Sequence, residues 1–149
     1  ERALVYVGVE EGGILCFGAD PGTSTEGRLL EGSNAGNPRI AYDVEGLTMY
    51  YGPEGKGYLL ASSQGNNSYA VFRREPPNAY LGSFHIGTGA EATKDTDGIA
   101  VTERNLGGTF TGGLLVCQDG YNYEGKQHIP QNFKLVKWKE VEKRIEDGL

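Results

Sequence analysis

The chain has 149 residues, 38% hydrophobic and 23% charged, the balance of one globular domain with a real core rather than of a disordered segment. Its net charge is −6 and its pI about 4.9, which argues against a nucleic-acid surface, since that requires a basic face. No apolar run reaches the ~18 residues of a transmembrane helix, and no signal-peptide pattern is present.

Glycine is the compositional outlier, with 24 copies, and Tyr (9) outnumbers Phe (5). Many glycines, many aromatics and short apolar runs point to an all-β chain with tight turns. Cys16 and Cys117 each lie inside an apolar run and show no C-x-x-C spacing. Buried thiols are expected, without a zinc or redox role. The sequence opens at Glu1 already close to a strand, so the true N-terminus is expected upstream.

In chain order, Ala3 to Val9 is almost continuously apolar and reads as a strand buried on both faces. Glu10-Glu11-Gly12-Gly13 makes a turn, and Ile14 to Phe17 the next strand. Ala19 to Pro38 reads as loop, with a short strand near Arg28 to Leu30. Asp43 and Glu45 then precede a strand at Leu47 to Tyr51, a turn through Gly52 to Gly57, and an apolar strand at Tyr58 to Ser62. After the polar corner Ser62-Ser63-Gln64-Gly65-Asn66-Asn67, strands are predicted at Tyr69 to Arg73 and Tyr80 to Ile86. A polar loop, Gly87 to Thr96, leads to Asp97-Gly98, and Ile99 to Thr102 and Gly113 to Cys117 flank a glycine-rich turn. Gln118 to Gln131 reads as one long polar corner, followed by a strand at Phe133 to Trp138. Lys139 to Glu146 has helical spacing, with Val141 and Ile145 four apart and Gly148 as a stop.

These pieces repeat. Glu45-Gly46-Leu47 matches Asp97-Gly98-Ile99, 52 positions on, and Leu59-Leu60-Ala61 matches Leu114-Leu115-Val116, 55 positions on. A period near 50 with about four strands per unit is the pattern of a propeller blade. The most apolar strand of each unit is expected beside the central channel. At most three units fit in 149 residues, fewer than the roughly four to eight blades of a closed propeller. The count favours part of a larger propeller over a different stack of sheets.

The repeat sets acids at matching points. Asp43, Glu45 and Asp97 lie just before the first strand of a unit, and Glu10 and Asp119 just after an apolar strand. Carboxylates converging at one end of a channel repel one another unless a cation neutralises them. Hard oxygen ligands in a wide site favour Ca²⁺. Gly120 to Lys126 fits G-x-x-x-x-G-K, but Gln127 follows and Pro130 blocks the helix a phosphate loop needs. His85 and His128 are isolated, and no G-x-S-x-G is present. Any hydrolase chemistry would therefore fall to a metal ion.

At this point four ordered stretches carry a resemblance: D-V-E-G-L-T-M-Y-Y, G-K-G-Y-L-L-A-S-S-Q-G-N-N-S-Y, D-T-D-G-I and Q-N-F-K-L-V-x-W. Together, from about Val5 to Trp138, they resemble the β-propeller phytases, the calcium-dependent alkaline phytases of bacteria. The resemblance implies a six-bladed propeller of which this chain is the C-terminal half, with residues 1–149 forming part of one domain. It implies hydrolysis of phytate, myo-inositol hexakisphosphate, by a calcium-bound water in an acidic cup. Asp43 and Glu45 match the family's D-x-E-G acids as calcium ligands facing the substrate, Asp97 the second acid of D-T-D-G, and Glu10 the acid of A-E-E. Gln64, in S-S-Q-G-N, is expected to line the cup and meet the substrate. The resemblance further implies a secreted or periplasmic protein, monomeric at full length, taking phytate as its calcium complex, with no nucleic-acid or membrane partner.

Two departures stand out. The loop Gly89-Ala90-Glu91-Ala92-Thr93-Lys94 is shorter than in the family and lacks an Asp used there for a structural calcium. Where the family reads E-N-x-D, this chain reads Tyr121-Asn122-Tyr123-Glu124, so Asn122 and Glu124 are the remaining candidate ligands of that ion. A non-catalytic calcium-stabilised propeller module that binds a partner is the alternative reading, and a calcium-dependent lactonase a third.

Overall fold

A computed structural model describes residues 3–149; Glu1, where the sequence opens, lies outside it. Strands β1 (Leu4–Val9), β2 (Gly13–Gly18) and β3 (Arg28–Leu29) form a first antiparallel sheet. A second sheet is a four-stranded meander of β4 (Val44–Tyr51), β5 (Gly57–Ser63), β6 (Ser68–Arg73) and β7 (Tyr80–Phe84). The third sheet takes β8 (Ile99–Thr102), β9 (Leu114–Asp119) and β12 (Asn132–Lys137), with β9 in the middle. Between β9 and β12 a separate hairpin pairs β10 (Asn122–Glu124) with β11 (Gln127–Ile129). One helix, α1 (Trp138–Glu146), ends the chain. The architecture is all-β in its bulk, with four antiparallel sheets among the described residues, none of them closed.

The second sheet is packed on both faces. Leu59, Ala61, Ala70 and Phe72 point into one core with Ile14 and Cys16 of the first sheet. Leu60, Tyr69 and Val71 point into the other, with Leu115 and Cys117 of the third sheet. Alternation along β5 thus feeds two cores from one strand. Helix α1 plugs the second core with Trp138, Val141 and Ile145, and the Trp138 ring stacks on Tyr50 at 4.2 Å between centroids.

Three sequence expectations change here. First, β1 is not buried on both faces: Tyr6 packs inward, but Val5 is 47% exposed and Val7 and Val9 share its open side. The first sheet covers the second with one face only, so the other face of β1 has no sheet against it among the described residues. Second, the most apolar strand of the second sheet, β5, lies inside it between β4 and β6, while the neighbouring sheets meet at their first strands, β4 lying against β1 and β8. Third, the repeat offset of 55 fails. It overlays Leu60, which faces the third sheet, on Leu115, which faces the second. A one-residue slip exchanges the two faces of a strand, so only an even offset preserves the packing. Both cysteines are free and buried, as expected. The G-x-x-x-x-G-K segment forms β10 and the turn into β11, and not a phosphate loop.

Candidate functional site

The acids are gathered where the first strands of the three sheets meet. β4 starts earlier than the sequence indicates, at Val44, so Glu45 lies within the strand and not ahead of it. The register explains this. Val44 pairs with Ser63 and Leu47 with Ala61, which sets Glu45 and Gly46 together opposite Ser62. Two residues against one is a bulge, a device that re-aims a side chain out of strand alternation.

Backbone bonds then stitch the three sheets at that end. Val44 donates its N–H to the Glu10 carbonyl at 3.0 Å, and Gly46 donates to the Asp97 carbonyl at 2.9 Å. Gly46 has to be glycine, because a Cβ there would sit 2.3 Å from the Asp97 oxygen. Gly65 is constrained in the same way against the Tyr42 carbonyl, at 2.1 Å. Glu10 and Asp97, each outside a strand, are therefore tied to β4 by main-chain bonds between sheets.

The polar corner after β5 supplies the remaining supports. Gln64 donates from Nε2 to Asp97 Oδ1 at 2.6 Å, and its N–H donates to the Asp43 carbonyl at 2.9 Å. The buried Ser63 hydroxyl accepts from Ala41 N–H and donates to the Ala41 carbonyl, both at 2.8 Å, two residues ahead of Asp43. Asn67 Oδ1 accepts the Asp95 N–H at 2.9 Å. Behind that loop, the buried Tyr69 hydroxyl bonds Thr93 at 3.0 Å and Thr96 at 2.9 Å. Burial pushes the Tyr69 phenol well above its ordinary value, so it stays a neutral hydrogen-bonding group.

Glu45 records the electrostatics of the cluster. Its carboxyl is raised above the ordinary 4.5, first by burial and then by the charges of Glu10, Asp97 and Asp43. Glu10, Asp43 and Asp97 are thus each within electrostatic reach of Glu45, and Gln64 links the Asp97 carboxylate to the Asp43 backbone. Among the described residues, no three acidic, His or Cys side chains are drawn tightly enough to close a metal site. The donors are nevertheless hard oxygens with surplus negative charge, which suits a large cation that keeps water or ligand oxygens in its shell.

The other candidates stand apart. Asn122 is buried and donates its amide to the Asp119 carbonyl at 2.9 Å, whereas Glu124 is exposed at the end of β10. Among the described residues neither bonds to the four acids. Asp119 does not join them either. It is 1% exposed, paired with Lys134 at 3.3 Å, and accepts the Lys94 N–H at 3.0 Å, so it pins the 87–97 loop to β9 and β12. His85 is exposed and its Nδ1 bonds the Asn67 carbonyl at 3.1 Å.

Two supporting residues escape a reading from sequence. Gln118 accepts the Asp97 N–H through Oε1 at 2.8 Å, so Asp97 is gripped by one glutamine on its carboxylate and another on its backbone. Ser62 reaches both acid-bearing segments, accepting from Gly46 N–H and donating to the Asp97 carbonyl. An even repeat offset of 54 would have laid Gln118 over Gln64.

The sequence profile described as "Phytase" matches residues 1–149. A relative from Bacillus subtilis (strain 168), described as a 3-phytase, is 42% identical over 147 residues, covering 97% of this chain but 38% of its own length. The chain thus spans about two-fifths of that relative. With a profile match along its whole length and that degree of identity, the chain belongs to the phytase family.

Proposed function

We propose that this chain is the C-terminal part of a calcium-dependent phytase, a phosphoric monoester hydrolase (3-phytase) that releases phosphate from myo-inositol hexakisphosphate. In this reading its three main sheets are blades of a six-bladed propeller, completed by the rest of a longer chain. Family membership supports the activity. The observation that supports the site is the stitching of the Glu10, Glu45 and Asp97 segments, Val44 N–H bonding the Glu10 carbonyl and Gly46 N–H the Asp97 carbonyl, with the Glu45 carboxyl raised by burial and then by Glu10, Asp97 and Asp43.

An acidic protein and a polyanionic substrate repel each other, so a cation has to lie between them. The four acids would hold calcium, and Asn122 and Glu124 would serve a separate structural ion. Bound calcium neutralises phosphate charge and makes water a better nucleophile at neutral pH. The chain's own contribution is positioning. Gln64 fixes Asp97 through Oδ1, and the β4 bulge fixes Glu45 beside it. In phosphoryl transfer, in-line placement and charge neutralisation account for most of the rate. The substrate is taken as phytate in its calcium complex, by a monomer acting outside the cytoplasm, secreted or periplasmic. The net charge of −6 is consistent with a protein that engages neither nucleic acid nor an anionic membrane surface.

Glu45→Gln in the full-length protein separates catalysis from simple binding. Removing one of four acids beside the reacting phosphate is expected to lower kcat on the order of 10²-fold. Steady-state phosphate release measures it, and an unchanged rate would favour the non-catalytic calcium-stabilised module.

A further inference from the structure

Ser62 lies on β5 directly opposite the β4 bulge and is 0% exposed. Its neighbours on the strand, Leu60 and Ala61, are core residues, so an apolar side chain would be the default here. A buried hydroxyl is tolerated only when its hydrogen bonds are made. Ser62 uses both roles. Its Oγ accepts the Gly46 N–H at 2.8 Å and donates to the Asp97 carbonyl at 2.9 Å. Since Gly46 N–H also reaches that carbonyl at 2.9 Å, the three groups form a closed triangle of short polar contacts. One corner adjoins Glu45, and another is the backbone of Asp97.

We infer that Ser62 is a positioning residue of the phytase site, its hydroxyl setting the separation and orientation of the Glu45 and Asp97 segments. The inference rests on the reading of those acids as the calcium-holding site. Ser62 belongs to one sheet and touches two acid-bearing segments of different sheets, which Gln64 joins through the Asp97 side chain. Residues that orient ligating groups commonly govern metal affinity without touching the metal.

Ser33 provides a matched control. It is 1% exposed, and its hydroxyl likewise accepts one N–H, from Ile14 at 3.0 Å, and donates to one carbonyl, of Leu30 at 2.8 Å. Neither partner carries an acid. The experiment compares Ser62→Ala, Ser62→Cys and Ser33→Ala in the full-length protein, by calcium titration calorimetry, thermal melting and steady-state kinetics. Ser62→Ala and Ser33→Ala are expected to lose similar thermal stability. Calcium affinity should fall about tenfold in Ser62→Ala, less in Ser62→Cys, and stay within about twofold of wild type in Ser33→Ala. If Ser62→Ala does not fold, the comparison rests on Ser62→Cys, which keeps the shape of the side chain with a somewhat larger and more weakly hydrogen-bonding atom. Equal calcium affinity in the Ser62 and Ser33 variants, with wild-type binding intact and lost in Glu45→Gln, would overturn the positioning role alone. Absence of calcium binding in wild type, or binding unaffected by Glu45→Gln, would overturn the site reading and this inference with it.

Discussion

At the scale of single residues, Glu45 shows what the cluster costs the fold. Burial and three neighbouring carboxylates oppose its ionisation, so its folded pKa lies above the ordinary 4.5. The folded state then binds more protons than the unfolded chain across that interval, and stability falls as pH rises through the folded value. The contribution is fully present below the unfolded pKa and is lost above the folded one. Glu45→Gln should therefore raise the melting temperature of the calcium-free protein slightly at neutral pH, with the gain fading as pH falls toward the ordinary 4.5. With calcium bound the sign should reverse, since the ion offsets the repulsion that the variant relieves. Melting curves across pH, with chelator and with calcium, check both arms, and a gain independent of pH would contradict the account. Burial acts in the same direction on Cys117, without cost because the thiol is neutral already. Its thiol is pushed up to about 12 and is inert packing, in keeping with its apolar run.

At the scale of elements, the site is a product of one bulge and two close approaches. Gly46→Ala would place a methyl 2.3 Å from the Asp97 oxygen and 2.9 Å from the Ile99 nitrogen, forcing β4 away from β8. Overpacking of this kind costs about 1–3 kcal/mol, and calcium affinity should fall with it; urea unfolding and calorimetry measure the two. A variant as stable as wild type would mean that the sheets can separate there freely. The strands themselves were legible because each is a short apolar run between glycine-rich turns, and α1 because Val141 and Ile145 share a face. The bulge was not legible, since it shows only in pairing: Glu45 and Gly46 read as the lead-in to a strand until Ser62 is seen opposite them. The β10–β11 hairpin does not stand out in the sequence because its strands are polar, although Gly125-Lys126 between Glu124 and Gln127 is a two-residue turn. The repeat positions and the family resemblance single out Glu10, Asp43, Glu45 and Asp97, and the structure brings the other three within electrostatic reach of Glu45. Their supports, Ser62 and Gln118, were hidden because a repeat offset of 55 confuses the two faces of a strand.

At the scale of the whole molecule, the two outer sheets each leave apolar residues uncovered among the described residues. Val5, Val7, Val9 and Leu29 stand exposed on the first, and Phe133, 67% exposed, and Leu135 on the third. Scattered exposed apolar residues are ordinary, but rows of them on sheet faces belong against other surface. We take them to be the faces that the rest of a longer phytase chain covers, in keeping with a relative of which this chain spans 38%. The 149-residue chain alone is accordingly expected to bind a hydrophobic dye strongly and to release no phosphate, whereas the full-length protein should do the reverse. Calcium-dependent release by the 149-residue chain itself would show that the site is complete without the remainder. The most direct test of the central claim is phosphate release from calcium phytate by the full-length protein, at neutral to mildly alkaline pH, with and without chelator. The account predicts release that chelator abolishes and added calcium restores. No release from a folded, calcium-loaded protein, or release indifferent to chelator, would contradict a calcium-dependent phytase site built on Glu10, Asp43, Glu45 and Asp97.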